Sequence, residues 1–372
     1  MLDQIKIDCR YFLWDRPCAP HKRDGRACAD CDEYDPVRQR VLVIKLAALG
    51  DVLRTTSFLP AIHASFGPCR VTWVTSPQGR ELFEGNHLVD EVLSSGDAVT
   101  AARLAVEEFD AVLCPDADPA AAALAGVARG KEHRGFKLNE GGEVVPLGEA
   151  AEHWFKMGLD DQRKRDNAET YQKLVAELLG LDPGEVGEPI LEPSESDRQA
   201  VASFREALGF DGPLVGLNTG AGGRWVYKSW TLEHQTSFLT LMAELGVGVL
   251  LLGGPPERQR HAELLSGAQG LPVFDGGNDN ACRRFASLVD LCEAVVTGDT
   301  FALHVATARK KPVIALFGPT SAAEIELYGR GEKIQPDGLD CLCCYLPRCD
   351  VSPHCQALIE PQTVAQAVQH CL

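Results

Sequence analysis

Two places in this sequence carry residue types and spacing suited to transfer chemistry. The first is Gly298-Asp299-Thr300-Phe301-Ala302-Leu303-His304, set between apolar runs at residues 294–296 and 312–317 that read as buried strands. A helix that starts just after the carboxyl end of such a strand points unpaired backbone N–H groups and a partial positive charge into the crevice where open α/β sheets bind ligands. A diphosphate suits that position. Asp299 and Thr300 would then supply polar groups at the mouth, with His304 one turn on, on the same side as Thr300. On these residues alone it is as reasonable that Asp299 or Thr300 caps the helix and His304 is a core histidine. The second place is Asp51, which follows Gly50 and the apolar run at residues 41–44. It reads either as a helix cap or as a carboxylate facing a cleft.

The fourteen cysteines are numerous for a chain expected in the cytosol, where disulfides are rarely maintained. Cys9, Cys18, Cys28 and Cys31 form one group, and Cys341, Cys344, Cys349 and Cys355 a second. Each group holds a C-x-x-C pair, the spacing that lets two thiolates bind one metal from a tight turn. A structural zinc is expected at each, ahead of iron or an iron–sulfur centre, with His21 as an alternative ligand in the first group and Cys343 pointing away in the second. Cys69, Cys114, Cys282, Cys292 and Cys371 read as small buried hydrophobes.

The elements around these residues alternate as βαβ units. Strand-like runs at residues 41–44, 70–75 and 110–114 are interleaved with helical stretches at 101–108 and 120–127. Residues 149–181 read as two helices joined by a charged connection at 160–166, and residues 182–194 as a linker. A second series runs through residues 213–217, 247–252, 294–296 and 312–317. Its strand ends carry small-residue loops at Asn218-Thr219-Gly220-Ala221-Gly222-Gly223-Arg224, Gly253-Gly254-Pro255-Pro256-Glu257 and Gly298-Asp299-Thr300. Three such loops in one half describe a nucleotide site. Expected boundaries are a Cys-rich arm at 1–40, an acceptor domain at 41–190, a donor domain at 191–335, and a Cys-rich segment with a closing helix at 336–372.

With 372 residues, 45% hydrophobic and 24% charged, two soluble domains are expected. The formal charge of −17 argues against a nucleic-acid partner. No run is long enough for a membrane span and the first residues lack a secretory signal, so a cytosolic place is expected, with peripheral contact at the cytoplasmic face of the inner membrane.

At Lys45-Leu46-Ala47-Ala48-Leu49-Gly50-Asp51-Val52-Leu53-Arg54-Thr55, Lys228-Ser229-Trp230, Leu251-Leu252-Gly253-Gly254-Pro255, Gly298-Asp299-Thr300 and Leu316-Phe317-Gly318-Pro319-Thr320 the sequence resembles family 9 glycosyltransferases, the ADP-heptose:lipopolysaccharide heptosyltransferases and their relatives. The resemblance covers about residues 41–335. It implies a GT-B fold, two Rossmann-like domains with parallel sheets facing a cleft. It also implies inverting transfer of a sugar, typically heptose from its ADP derivative, to a glycan or lipid-linked acceptor such as lipopolysaccharide core, without a catalytic metal. By the same resemblance Asp51 is the general base, Lys228 meets the donor phosphates, and Glu257 holds the ribose. Asp299, Thr300, Phe301, Ala302 and His304 form the donor-side loop and helix. From their charge rather than the resemblance, Arg224 and Arg54 read either as contacts to anionic groups on donor and acceptor respectively or as solvated side chains.

The chain departs from the family at Phe301, where Gly is usual, at Arg54, where His is frequent, and in its cysteine arm. Phe301 keeps open a non-catalytic nucleotide-sugar-binding protein, the cysteines a redox or iron–sulfur protein, and the unread acceptor a protein heptosyltransferase of the autotransporter type. The last helix, at 361–372, is expected to cross onto the first domain, with the second cysteine group fixing that corner without touching the sugar.

Overall fold

The structure, a computed structural model, describes residues 4–372 apart from Arg224. Two six-stranded sheets dominate it. The first contains β1 (Gln39–Ile44), β2 (Cys69–Thr75), β3 (Glu91–Ser94), β4 (Glu108–Cys114), β5 (Arg129–Leu138) and β6 (Val144–Leu147), in the order β3-β2-β1-β4-β5-β6. It is parallel except for the antiparallel β5–β6 pair. The second contains β7 (Leu214–Asn218), β8 (Gly248–Leu252), β9 (Val273–Asp275), β10 (Ala294–Gly298), β11 (Val313–Leu316) and β12 (Gly331–Ile334), all parallel, in the order β12-β11-β10-β7-β8-β9. Numbered from its own first strand, each sheet reads 3-2-1-4-5-6, the doubly wound order in which ligands bind where the winding reverses. The reversals fall between β1 and β4 and between β7 and β10.

The strands form where the sequence is continuously apolar. Val41, Leu42, Val43 and Ile44 are all buried, as a parallel strand covered on both faces requires. After β1 the chain forms a helix, Leu49–Thr55, then a tight 3-10 turn, Thr56–Phe58, then a second helix, Leu59–Phe66. The break has local causes. Thr56 Oγ1 and Ser57 Oγ donate back to the carbonyls of Leu53 and Arg54 at 2.6 and 2.7 Å, and Pro60 has no N–H to continue the ladder.

Residues 149–178 depart from expectation by forming three helices, Glu149–Leu159, Asp161–Asp166 and Tyr171–Leu178. The charged run read as a connection is itself a short helix. Asp160 Oδ1 caps it, accepting from the N–H groups of Gln162 and Arg163 at 2.9 and 3.4 Å. No apolar stripe announces it because it buries none of its residues.

One apolar core continues from the first sheet into the second, joining Val43, Val52, Trp73 and Tyr171 to Phe285, Leu303, Val305 and Phe317. The helices Leu49–Thr55 and Phe301–Ala308 meet inside it. A Cβ at Gly50 would lie 2.6 Å from His304 Cδ2 and 3.6 Å from Phe301 Cα, so this approach requires glycine. Polar contacts lace the same junction: Arg330 forks onto Glu188 at 3.1 and 2.5 Å, and Gln172 donates to Tyr328 at 3.1 Å.

The final helix, Pro361–Cys371, does not cross onto the first sheet. Val364, Ala367 and Val368 pack with Trp230, Phe238 and Val296 on the outer face of the second. The Trp230 indole N–H pins the approach to this helix by donating to the Ile359 carbonyl at 2.9 Å. Among the described residues no helix is long and apolar enough to cross a membrane.

Candidate active site

Each reversal of winding is bridged by side chains from the two strands that flank it. In the first sheet Lys45, just past β1, is ion-paired with Asp116, just past β4, and also donates to the Ala47 carbonyl at 2.8 Å. Burial alone would lower the Lys45 pKa, but Asp116, joined by Tyr171 and Asp51, outweighs it and keeps the ammonium charged. In the second sheet Asn218, ending β7, donates to Thr300 Oγ1, past β10, at 3.2 Å. Thr300 Oγ1 also lies 3.0 Å from Thr297 Oγ1. Its hydroxyl therefore serves the strand junction, and no side chain caps the helix Phe301–Ala308. The simple cap reading of Thr300 and Asp299 does not hold. The helix N-terminus opens toward a cavity of about 420 Å³ whose walls include Asp51, Arg54, Lys228, Asp299, Thr300, Phe301 and His304.

Asp51 occupies the third position of the helix Leu49–Thr55, and among the described residues its Oδ2 accepts only a long 3.4 Å bond, from the Ala48 N–H. The stronger contact is with Arg54, whose Nη2 lies 2.7 Å from Asp51 Oδ1, while about a third of the Asp51 side chain faces the cavity. Burial pushes the carboxyl up, but Arg54, then Lys45 and His304, more than offset it, so Asp51 stays ionised well below the usual carboxylate range. The Arg54 guanidinium sits 3.6 Å from the centre of the Tyr171 ring, a cation–π contact that locks its plane. Tyr171 is fixed in turn by its hydroxyl, 2.9 Å from Thr55 Oγ1.

Across the cavity Lys228 Nζ is 2.8 Å from Asp299 Oδ2 and 3.2 Å from the Asp299 carbonyl, and lies 5.4 Å from the centre of the Trp225 ring. Burial would raise Asp299, yet Lys228 and His304 hold it below its ordinary value. For His304 burial dominates, followed by Arg54, and the imidazole is driven down to about 4, so it is neutral at physiological pH. Phe301 packs its ring 6.0 Å from that of Phe285.

A second cavity of about 330 Å³ adjoins the first and shares Lys228, Asp299, Thr300 and Phe301 with it; Ala302 and the small-residue loops Gly220–Gly222 and Gly253–Gly254 complete its wall. Glu257 ties those loops together. Its Oε1 accepts from Gly222 N–H at 3.0 Å and its Oε2 from Gly254 N–H at 2.9 Å. Each oxygen keeps a second lone pair for a ligand hydroxyl. Arg224, expected beside it, lies outside the described residues. A groove of about 790 Å³ opens at the opposite, amino-terminal edge of the first sheet, but its arginines are already paired: Arg103 and Arg70 with Glu91, and Arg40 with Glu107.

A sequence profile of glycosyltransferase family 9 (heptosyltransferase) matches residues 101–345, about two thirds of the chain. The chain belongs to glycosyltransferase family 9. It is a glycosyltransferase, with the GT-B arrangement of two Rossmann-like units around a cleft. It is 24% identical over 322 residues to lipopolysaccharide heptosyltransferase 1 of Escherichia coli (strain K12), covering 79% of this chain and 92% of that protein. A family 9 glycosyltransferase from Veillonella parvula superposes with a TM-score of 0.74 at 18% identity, covering 91% of this chain and 98% of that one. The dodecameric iron-containing heptosyltransferase TibC of enterotoxigenic E. coli, solved in complex with ADP-D-beta-D-heptose, superposes with a TM-score of 0.53 at 13% identity, covering 97% and 80%.

The cysteine groups of this family 9 chain differ in setting. Cys9, Cys18, Cys28 and Cys31 line one small cavity of about 20 Å³ with Tyr11, Phe12 and Tyr34. In the second group burial, opposed by a backbone hydrogen bond at Gln356 and joined by Cys349, Cys344 and Cys341, raises the Cys355 thiol to about 11, so those three thiols lie within electrostatic reach of Cys355. All eight are free thiols. Among the described residues, however, no three His, Cys, Asp or Glu side chains are gathered closely enough to hold a metal ion, so the expected tetrahedra are not formed in this structure. Cys343, expected to point away from a metal, is buried.

Sequence reasoning missed Asp116, Tyr171, Thr320, Ser321, Glu324 and Tyr345, and gave Lys45 no role. The signal for Lys45 was its place directly after a buried strand. Tyr345 was hidden inside the cysteine-rich segment; it lines the 420 Å³ cavity, whereas none of Cys341, Cys344, Cys349 and Cys355 does.

Proposed function

We propose that this glycosyltransferase moves a heptose from an ADP-heptose-type donor to a sugar hydroxyl of a lipopolysaccharide-core acceptor, with inversion at the anomeric carbon. One juxtaposition carries the reading. Asp51, ionised and partly open, faces Lys228, Asp299, Thr300 and an uncapped helix N-terminus across a single cavity. Inverting transfer needs that opposition, a base on one side and a cationic, N–H-rich cradle on the other.

In this reading the unit built on the first sheet takes the acceptor and the unit built on the second takes the donor. The adenosine lies against the glycine loops with its ribose hydroxyls on Glu257, and the diphosphate meets Lys228 and the backbone N–H groups at Phe301 and Ala302. The acceptor hydroxyl gives its proton to Asp51 as its oxygen attacks the anomeric carbon. The bond to the diphosphate breaks, its electron pair leaving with ADP, and Lys228 shifts from Asp299 toward the charge that develops. Arg54 holds the Asp51 carboxylate in place and contributes to the acceptor side. The likeness to the E. coli lipopolysaccharide heptosyltransferase supports the sugar and the acceptor class.

The two cysteine groups, not gathered into ligand sets in this structure, are proposed to close around a structural metal when one binds, zinc ahead of iron. Thiolate sets of this composition suit either metal, and the iron of TibC shows that a protein of this fold carries one. The test of the main proposal is incubation of the purified chain with a panel of nucleotide sugars and deacylated lipopolysaccharide core, with mass detection of products. Release of ADP with a heptose-sized gain on the acceptor is expected. Turnover of no ADP-sugar, or release of another nucleotide, refutes it.

A further inference from the structure

We infer that the cysteine-rich segment completes the sugar site: Tyr345 and Glu324 together form a wall of the catalytic cavity that binds a sugar hydroxyl. The inference rests on the transferase reading above and adds a substrate contact that neither the sequence motifs nor the donor pocket contains. Both residues line the 420 Å³ cavity, on the side shared with Arg54, and Thr320 and Ser321 adjoin them.

Several bonds hold the pair in place. The backbone N–H groups of Cys343 and Tyr345 donate to the carbonyls of Gly318 and Pro319, each at 2.8 Å, laying the segment along the end of β11. A Cβ at Gly318 would come 2.3 Å from Cys355 Sγ, so the glycine is what lets the segment lie this close. Cys343 and Tyr345 both take positive φ, 58° and 51°, a conformation that costs energy for residues with side chains and persists where surrounding contacts enforce it. The enforced result is that the Tyr345 ring turns inward, under the Lys164 ammonium at 4.6 Å.

The Tyr345 hydroxyl donates to Glu324 Oε1 at 3.0 Å and accepts from the Ser321 N–H at 3.3 Å. Glu324 is also tied across the junction of the two units, its carbonyl accepting from the Tyr171 N–H at 3.0 Å. Its second carboxylate oxygen accepts no hydrogen bond among the described residues. Thr320, 4% exposed, has a buried hydroxyl that likewise lacks a partner there. Acceptor oxygens and an unmatched hydroxyl beside a general base describe a surface for a polyhydroxylated ligand, because a sugar O–H can donate to the carboxylate while accepting from a neighbour. An anionic group would instead be repelled by Glu324.

The hydroxyl could belong to the donor sugar or to the acceptor sugar, and the experiment separates them. Glu324→Gln and Tyr345→Phe are made in the full chain. Affinities for ADP and for ADP-heptose are measured by calorimetry, and the KM for deacylated lipopolysaccharide core by ADP release. ADP affinity is expected within about twofold of wild type in both variants, because the nucleotide lies in the adjoining cavity. Glu324→Gln is expected to weaken ADP-heptose binding, or to raise the acceptor KM, by about 10-fold to 100-fold, the range for a hydrogen bond to a charged group. The first outcome places the hydroxyl on the donor and the second on the acceptor. Tyr345→Phe should move the same constant in the same direction by a smaller factor. Constants unchanged in both variants overturn the inference, as does a parallel loss of ADP affinity and melting temperature, which would make the pair a structural prop. A wild-type chain that binds no ADP-sugar more tightly than ADP and uses no acceptor overturns the proposed function and this inference together.

Discussion

Replacing Arg54 by Gln should raise the pH at which the Asp51 carboxylate takes up a proton. In the native chain Arg54 Nη2 is 2.7 Å from Asp51 Oδ1, and among the groups that hold the Asp51 carboxyl below its ordinary range Arg54 comes first, ahead of Lys45 and His304. Because about a third of the Asp51 side chain faces the cavity, an effective dielectric nearer ~40 than ~20 applies. Coulomb's law at ~4 Å between charge centres then gives about 2 kcal/mol, or about 1.5 pH units. A base works only when deprotonated, so kcat/KM is lost as pH falls through its pKa. Raising that pKa moves the loss to higher pH. Arg54 is also the second cause, after burial, of the low value of His304, so removing it lifts His304 too. Comparing Arg54→Gln/His304→Gln with His304→Gln isolates Asp51, because His304 also lowers its carboxyl. The readout is the Asp51 carboxyl carbon resonance titrated by NMR from about pH 1.5 to about pH 7, since the native midpoint lies below the range in which ADP release can be followed; a weakened acceptor contact does not move this titration. A midpoint within about 0.3 units of its reference in both comparisons would refute the pairing argument.

Three further outcomes are expected. Asp51→Asn should retain ADP affinity and lower kcat about 100-fold to 10,000-fold, the usual worth of a general base; turnover within a few-fold of wild type would reduce Asp51 to a helix-end residue. Lys228→Ala should weaken ADP binding about 10-fold to 100-fold, the equivalent of about 1.5–3 kcal/mol for a charge-assisted bond, because it removes the cation and leaves Asp299 facing the diphosphate; calorimetry with ADP reads it, and unchanged affinity separates the lysine from the phosphates. Elemental analysis should find about one zinc or iron per cysteine group, two per chain, with a melting temperature that falls on chelation; a metal-free chain with full activity and an unchanged melting temperature would leave the eight cysteines as reduced thiols.

The fold was legible because its strands are made from uninterrupted apolar runs. Residues 41–44, 248–252 and 294–298 are buried throughout, and covered parallel strands leave that pattern in any sequence. The charged helix Asp161–Asp166 was not legible, since its stability comes from the Asp160 cap and its position on the surface, neither of which writes a periodicity. The place of the last helix was misread for a different reason. Its apolar stripe was correctly seen, yet a stripe does not say which sheet it covers, and that choice is made by the Trp230 bond to Ile359 and by the face of β10 to β12 left open between them.

Site residues divide along the same line. Asp51, Asp299, Thr300 and His304 sit at strand ends or one turn into a helix, where winding order alone directs side chains to the crevice; Lys228, in the 3-10 turn Val226–Lys228 of the loop after β7, was reached only through the family resemblance. Arg54 was found as a charge, but its partners were not, because Tyr171 reaches it from more than a hundred residues away and Glu324 from further still. The sequence therefore presents Asp51 as a lone carboxylate, whereas the fold sets it in the field of Lys45 and makes it one end of a chain of contacts through Arg54 and Tyr171 to Glu324 and Tyr345. Members of that chain come from both units, so the electrostatics of the base depend on how the units are held together. That dependence gives the cysteine-rich segment a physical route to the chemistry: whatever fixes Cys343 and Tyr345 against Gly318 and Pro319 also fixes the far end of the contacts that begin at Asp51.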